Sequence, residues 1–165
     1  MKVIVINGPM GVGKTTTGKI IADRNPGTAF IDGDWCMDLH PFVGSHETRA
    51  MAADNILHMI GNYIRCPECR MAVLVWLMDD PQVYRMIMDG LSAMQAEVQS
   101  VTLTCDRESL VSRWKNDRGC EWRTDRWLEA ALDSLSAFAS MGNAIDTSGL
   151  SAEHAADVIM RSGEA

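Results

Sequence analysis

The chain has 165 residues, a length that suits about one domain with a sizeable core. Apolar residues make up 47%, which excludes a disordered chain, and the net charge of −7 argues against a nucleic-acid backbone as the main partner. No apolar run is long enough to cross a bilayer, so no membrane partner is expected.

Val3-Ile4-Val5-Ile6 lies in the first predicted strand, residues 2–7, and is β-branched throughout, as a strand buried on both faces should be. It runs straight into Gly8-Pro9-Met10-Gly11-Val12-Gly13-Lys14-Thr15, which fits Gly-four-any-Gly-Lys-Ser/Thr without a mismatch. A removable signal there would take the loop with it, so a cytoplasmic location is expected. Residues 14–24 continue as a helix, stopped by Asn25-Pro26-Gly27. Strand, glycine loop and helix together make a phosphate cradle. Glycines let main-chain N–H groups close around an anion, and the helix N-terminus adds its partial positive charge. The nucleotide is expected on Gly8, Met10, Gly11, Val12, Gly13, Lys14, Thr15 and Thr16, with ATP and Mg²⁺ the expected ligands. Lys14 should reach the β- and γ-phosphates, and the Thr15 hydroxyl should ligate Mg²⁺.

Thr28–Ile31 reads as a second strand, ending in Asp32-Gly33-Asp34-Trp35. Asp32 and Asp34, on either side of a glycine at a strand end, can face one crevice. One can hold Mg²⁺ and the other can accept the proton of an attacking hydroxyl. Cys36 to Gly44 contains His40-Pro41 and reads as irregular. Trp35, His40 and Phe42 are candidates to line an acceptor pocket, with His46 and Arg49 at the start of the next helix. That helix spans about Ser45–Arg65, with Ala53, Leu57, Ile60 and Ile64 on one face and Ser45 as N-cap.

Met71–Met78 is the longest apolar run and reads as a central parallel strand. Pro81 opens a helix over 81–96 that turns Val83, Met86, Ile87 and Leu91 inward. Val98–Thr104 is a fourth strand, and Asp106 caps a helix to about Lys115. Five arginines and Lys115 lie between 107 and 126, among them Arg113, Arg118, Arg123 and Arg126. A small lid around 113–126 would bring such cations to a transferring phosphoryl group and exclude water. Residues 125–141 return to helical periodicity through Leu128, Leu132, Leu135 and Phe138. Residues 143–146 form a fifth strand, and Ser151 caps a last helix. Alternating strands and helices predict one α/β domain with a parallel sheet, and ligands at the C-terminal ends of its strands.

Five cysteines in an ordinary composition suit a reducing compartment. Cys66-Pro67-Glu68-Cys69 has half the spacing of a zinc site, but the remaining cysteines are scattered, so no metal is assigned to it.

The layout resembles the small P-loop kinases: the adenylate, shikimate, gluconate and chloramphenicol phosphotransferase relatives. That resemblance implies a three-layer α/β/α P-loop fold with five parallel strands in the order 2-3-1-4-5. Asp32-Gly33-Asp34 resembles the DGD or DxD of shikimate, gluconate and adenylylsulfate kinases, which implies Asp32 on Mg²⁺ and Asp34 at the acceptor hydroxyl. By the same likeness Arg113 would stack on adenine, and Arg118 or Arg123 would meet the phosphates. Asp146-Thr147-Ser148-Gly149, including Ser148, would close the other side of the base. The glycine cluster of shikimate kinases after the third strand is replaced by Trp76-Leu77-Met78-Asp79-Asp80, so the resemblance names no acceptor. The expected activity is transfer of the ATP γ-phosphate to a hydroxyl or phosphate of a small molecule, by a monomer or homodimer. The alternative is a nucleotide-binding regulatory NTPase acting through a protein partner. An enclosed pocket at 32–42 favours the kinase, and a flat patch favours the partner.

Overall fold

The computed structural model describes residues 1–117 and 124–163. Strand β1 (Lys2–Asn7) sits in the middle of a five-stranded sheet, and Val3, Ile4, Val5 and Ile6 are wholly buried there. The sheet order is β2 (Thr28–Asp32), β3 (Met71–Val75), β1, β4 (Glu97–Thr104), β5 (Ala144–Asp146), and every pairing is parallel.

Alternation along each strand divides the core in two. Ile4 and Ile6 point to one face, where Ile21 of helix α1 (Lys14–Arg24), Leu110 and Trp114 of α4 (Arg107–Asn116), Leu132 of α5 (Asp125–Ala139) and Ile159 of α6 (Ala152–Ser162) pack. Val3 and Val5 point to the other, against Ile56 and Ile60 of α2 (His46–Arg65) and Val83, Ile87 and Leu91 of α3 (Pro81–Ala93). A parallel sheet needs both faces covered, which is why β1 and β3 are apolar without alternation. The result is the expected three-layer α/β/α architecture and strand order.

Three differences from the sequence reading have local causes. Strand β3 stops at Val75 rather than Met78, because the Asn7 side chain takes both main-chain groups of Met78: Oδ1 accepts its N–H at 2.9 Å and Nδ2 donates to its carbonyl at 3.2 Å. Helix α3 ends at Ala93, and Gln95 follows with φ 55°, a left-handed residue that closes the turn into β4. Met86, expected inside, is 38% exposed, while Val83, Ile87 and Leu91 fill the inward face.

Gly33–Met37, which spans the expected strand end at Gly33–Trp35 and the start of the stretch from Cys36 read as irregular, is a short 3-10 helix. Asp32 caps it, its Oδ1 accepting from the Asp34 N–H at 3.1 Å. Among the described residues no helix is long and apolar enough to cross a membrane.

Candidate active site

The glycine loop lies between β1 and α1, at the C-terminal edge of the sheet. Gly8 has φ 141°, and a Cβ on it would fall 2.4 Å from the Leu103 carbonyl oxygen, so any side chain would push the loop off β4. Asn7 is completely buried and braces the turn, with Oδ1 also accepting from the Gly8 N–H at 2.8 Å. Lys14 donates from Nζ to the carbonyls of Gly8 and Pro9, each at 2.9 Å, which curls the loop around its own ammonium group.

Helix α1 begins unlike most of its neighbours. Ser45, Asp80, Asp106 and Ser151 cap α2, α3, α4 and α6 with side-chain acceptors. Gly13 gives α1 no side-chain cap, and the first turn of α1 contains no acid. Its leading N–H groups and its dipole are therefore left for an anion. Among the described helices only α5 also lacks a side-chain cap hydrogen bond, and its first turn carries Asp125.

Opposite the loop, the Thr15 hydroxyl donates to Asp32 Oδ2 at 3.2 Å. A hydroxyl and a nine-tenths-buried carboxylate, side by side at the start of α1, form the oxygen donor set that Mg²⁺ takes alongside phosphate and water. Among the described residues no group of three or more His, Cys, Asp and Glu stands ready to hold a metal, and Cys66 and Cys69 are free thiols. A divalent cation here would thus depend on phosphate oxygens for the rest of its shell, the usual condition for Mg²⁺.

Asp34 stands beside Asp32, in the first turn of the 3-10 helix. Loss of hydration between the cleft walls raises its pKa above the ordinary carboxylate value, and the charge of Asp32 raises it further. The Lys14 ammonium and a hydrogen bond from the Trp76 side chain pull the other way without prevailing. Water reaches the carboxyl from the open side of the cleft, while the rest of its surroundings is protein, so the shift is partial desolvation rather than full burial. Trp76 is buried beneath it, with its ring so close to Gly33 that a Cβ there would overlap Trp76 Cγ.

A cleft of about 1310 Å³ joins these groups. Its walls include Gly11 to Thr17, Asp32, Asp34, Trp35, Asp38, Phe42, Arg49, Arg113 and Trp127. Trp35 and Phe42 are 70% and 64% exposed, and Arg49 is paired with Asp79, Nη1 to Oδ1 at 2.6 Å. Arg113 ties the glycine loop to the segment after β5: Nη1 donates to the Val12 carbonyl at 2.9 Å and to Thr147 Oγ1 at 3.0 Å, and Nη2 to the Thr147 carbonyl at 2.5 Å.

Two expected site residues lie elsewhere. His40 is a surface side chain 3.4 Å from Asp38 and does not line the cleft, because the segment after the 3-10 helix turns its ring to solvent. Ser148 is taken up in its own loop, donating to Asp146 at 2.6 Å and accepting from the Asp106 N–H at 2.7 Å. Thr147 and Leu150 line the cleft in its place. Arg118 and Arg123 fall outside the described residues, while Arg113 and Arg126, the other arginines of the expected lid, stand on α4 and α5. Asn7 and Trp76 were not singled out from sequence as site residues, and Thr147 entered only as part of the Asp146–Gly149 loop expected beside the base. A polar residue closing an apolar strand was a readable signal for Asn7. Trp76 sits inside an apolar run and gave none.

Residues 4–132 match the AAA domain family. The chain belongs to that family. No curated protein matches this AAA domain protein. Among solved structures it is similar to the Deinococcus radiodurans tunicamycin resistance protein, with 24% identity over 98% of this chain and 94% of that one and a TM-score of 0.71. It is similar to a Sinorhizobium meliloti gluconokinase, at 17% identity over 99% and 94% and a TM-score of 0.70. A Bacteroides thetaiotaomicron shikimate kinase aligns at 18% identity over 98% and 96%, with a TM-score of 0.63. The AAA domain protein therefore has the fold of the P-loop kinases, across nearly its whole described length.

Proposed function

We propose that this protein is an ATP-dependent phosphotransferase that moves the γ-phosphoryl group of ATP to a hydroxyl of a small molecule. The observation that carries the reading is the placement of Asp34 on the same cleft as the glycine loop, next to the Thr15–Asp32 pair. A nucleotide-binding loop alone serves switches and motors equally well. A carboxyl across from that loop can take the proton of a hydroxyl acceptor, and the raised pKa of Asp34 suits it to that role.

In this reading the main-chain N–H groups from Gly11 to Thr16 and the start of α1 hold the β- and γ-phosphates. Thr15 and Asp32 hold Mg²⁺, which when bound neutralises phosphate charge. Asp34 accepts the proton of the acceptor hydroxyl as its oxygen bonds to the γ-phosphorus and the bond to ADP breaks. Lys14 swings from the loop carbonyls to offset the charge on the transferring group. Arg113 borders the nucleotide, and Arg118 and Arg123 are assigned to the phosphates from the lid by resemblance alone. Trp35 and Arg49 border the acceptor.

The rival is a regulatory NTPase that acts through a protein partner. Asp32, Asp34, Trp35, Met37, Asp38 and Phe42 line the same cleft as the glycine loop rather than a separate flat patch, and this favours the phosphotransferase. The test is ATP consumption against a panel of sugars, sugar acids, nucleosides, aminoglycosides and amphenicols. Stimulation by one class, with phosphorylated product seen by mass spectrometry, supports the reading. ATP hydrolysis indifferent to every compound but stimulated by a bound protein would replace it with the regulatory one.

A further inference from the structure

Resting on the phosphotransferase reading, we propose that the acceptor is amphipathic: its hydroxyl sits beside an aromatic or other apolar arm, and that arm lies on the rings of Trp35 and Phe42. The distribution of apolar side chains around the cleft points to this.

The sheet order divides the cleft in two. Segments that follow β1, β4 and β5 bring the glycine loop, Arg113 and Thr147 to its walls. Segments that follow β2 and β3 bring Trp35, Met37, Phe42, Trp76 and Leu77. Apolar groups therefore crowd the half that holds Asp34, the proposed base. Besides Asp32, the charged side chains lining that half among the described residues are Asp34, Asp38 and Arg49. A sugar or polyol presents hydroxyls on every side, and each one taken out of water needs a polar partner. A wall of rings and thioethers supplies few, but it matches an arm that has no hydrogen bonds to lose. Charge does not choose between acidic and neutral compounds here: the carboxyls oppose an acid, whereas Arg49 and the Lys19 ammonium beside Trp35 attract one.

Trp35 and Phe42 are largely exposed, yet both are backed. The Lys19 ammonium lies 5.8 Å from the Trp35 ring centroid and 5.9 Å from that of Phe30, so it braces Trp35 from α1. Phe42 lies against Gly44, where a Cβ would come 3.3 Å from its ring. Rings that are already ordered and still face water gain from being covered and lose little freedom when a ligand covers them. Trp35 follows Asp34 directly in the 3-10 helix, so an arm on Trp35 keeps the attached hydroxyl on the side of the cleft where that carboxyl stands. The cleft volume of about 1310 Å³ exceeds what one drug-sized ligand fills, which leaves room for such an acceptor beside a nucleotide.

The test uses pairs that share their hydroxyls and differ in the arm: methyl and phenyl β-glucoside, ribose and uridine, 2-amino-1,3-propanediol and chloramphenicol. Binding to the whole protein, loaded with Mg²⁺ and a non-hydrolysable ATP analogue, is read by calorimetry. In at least one pair the arm-bearing member should bind about tenfold or more tightly than its partner. Trp35→Ala and Phe42→Ala should each cut that advantage roughly fivefold or more and Trp35→Phe no more than about threefold, with analogue affinity equal in all four proteins. Equal affinity or no binding in every pair, or an advantage that survives both alanine variants, would overturn the inference. So would sedimentation showing a dimer that Trp35→Ala or Phe42→Ala splits, since the rings would then serve a second copy of the chain. These outcomes leave the phosphotransferase reading standing if the analogue still binds. Failure to bind the analogue at all removes both.

Discussion

The two ends of the cleft are built on different principles. The end proposed for the nucleotide offers mainly main chain: a loop of glycines, an uncapped helix start, and a lysine curled over carbonyls. Every such device constrains residue identity through backbone geometry, as Gly8 shows with φ 141° and its Cβ position filled by Leu103. The proposed acceptor end offers side chains on a 3-10 helix, the start of α2 and the turn after β3. Nothing about the fold dictates which side chains those are. The contrast teaches that one end can stay fixed while the other changes partner.

Mutations break this comparison most sharply at the nucleotide end. Lys14→Ala should take phosphoryl transfer to background, a loss on the order of 1,000-fold or more, because no other cation among the described residues sits within the loop. Circular dichroism and melting should show a folded protein, since the side chain is held by loop carbonyls rather than by the core. Transfer within tenfold of wild type would remove Lys14 from the reaction.

Asp34→Asn tests the other end. As the proposed base, its loss should lower kcat roughly 100- to 1,000-fold and leave the Kd for ATP within about twofold. An equal fall in ATP affinity would instead place Asp34 with Asp32 on the metal. The pH profile adds a second reading: burial and Asp32 hold the Asp34 proton to a higher pH than an ordinary carboxyl. In wild type, kcat/KM should therefore still be rising with pH above the ordinary carboxylate range, and Asp34→Asn should flatten that limb.

The same division decides what could be read from the chain. The strands were legible because β1 and β3 are buried on both faces and must be apolar throughout, and the helix starts because Ser45, Pro81, Asp106 and Ser151 are capping or first-turn residues. The cradle was legible because glycine has few substitutes there. The acceptor end was not. The 3-10 helix at Gly33–Met37 has too few residues for a periodic signal, and its formation depends on the Asp32 cap and on the Trp76 ring packed against Gly33. His40 shows the same limit: a histidine in a loop of unknown path can face the cleft or the solvent, and here it faces solvent. Trp76 is invisible in its apolar run because a strand reading does not tell where Asn7 will pull the chain out of the ladder.

The smallest effect is in stability, and its sign separates the two ends. A carboxyl whose pKa is raised by folding is favourable to the fold while protonated, and that contribution is lost as pH rises through the folded-state value. Asp34 is such a group, held up by lost hydration and by Asp32. Asp34→Asn should therefore leave the Tm near wild type at pH values below the ordinary carboxylate pKa and raise it at neutral pH, where the charged form is disfavoured. Asp106 is the opposite case: hydrogen bonds from the side chain and N–H of Ser109, the latter at 2.7 Å, hold its pKa down while it caps α4. The Tm advantage of wild type over Asp106→Ala should be largest above the ordinary carboxylate range and shrink as the pH falls through the folded value. Melting curves of both variants across acid and neutral pH give the two trends side by side. A neutral-pH Tm for Asp34→Asn below wild type would mean that Asp34 is held as a satisfied structural anion, like Asp106, and that the acceptor end stores no strain for catalysis.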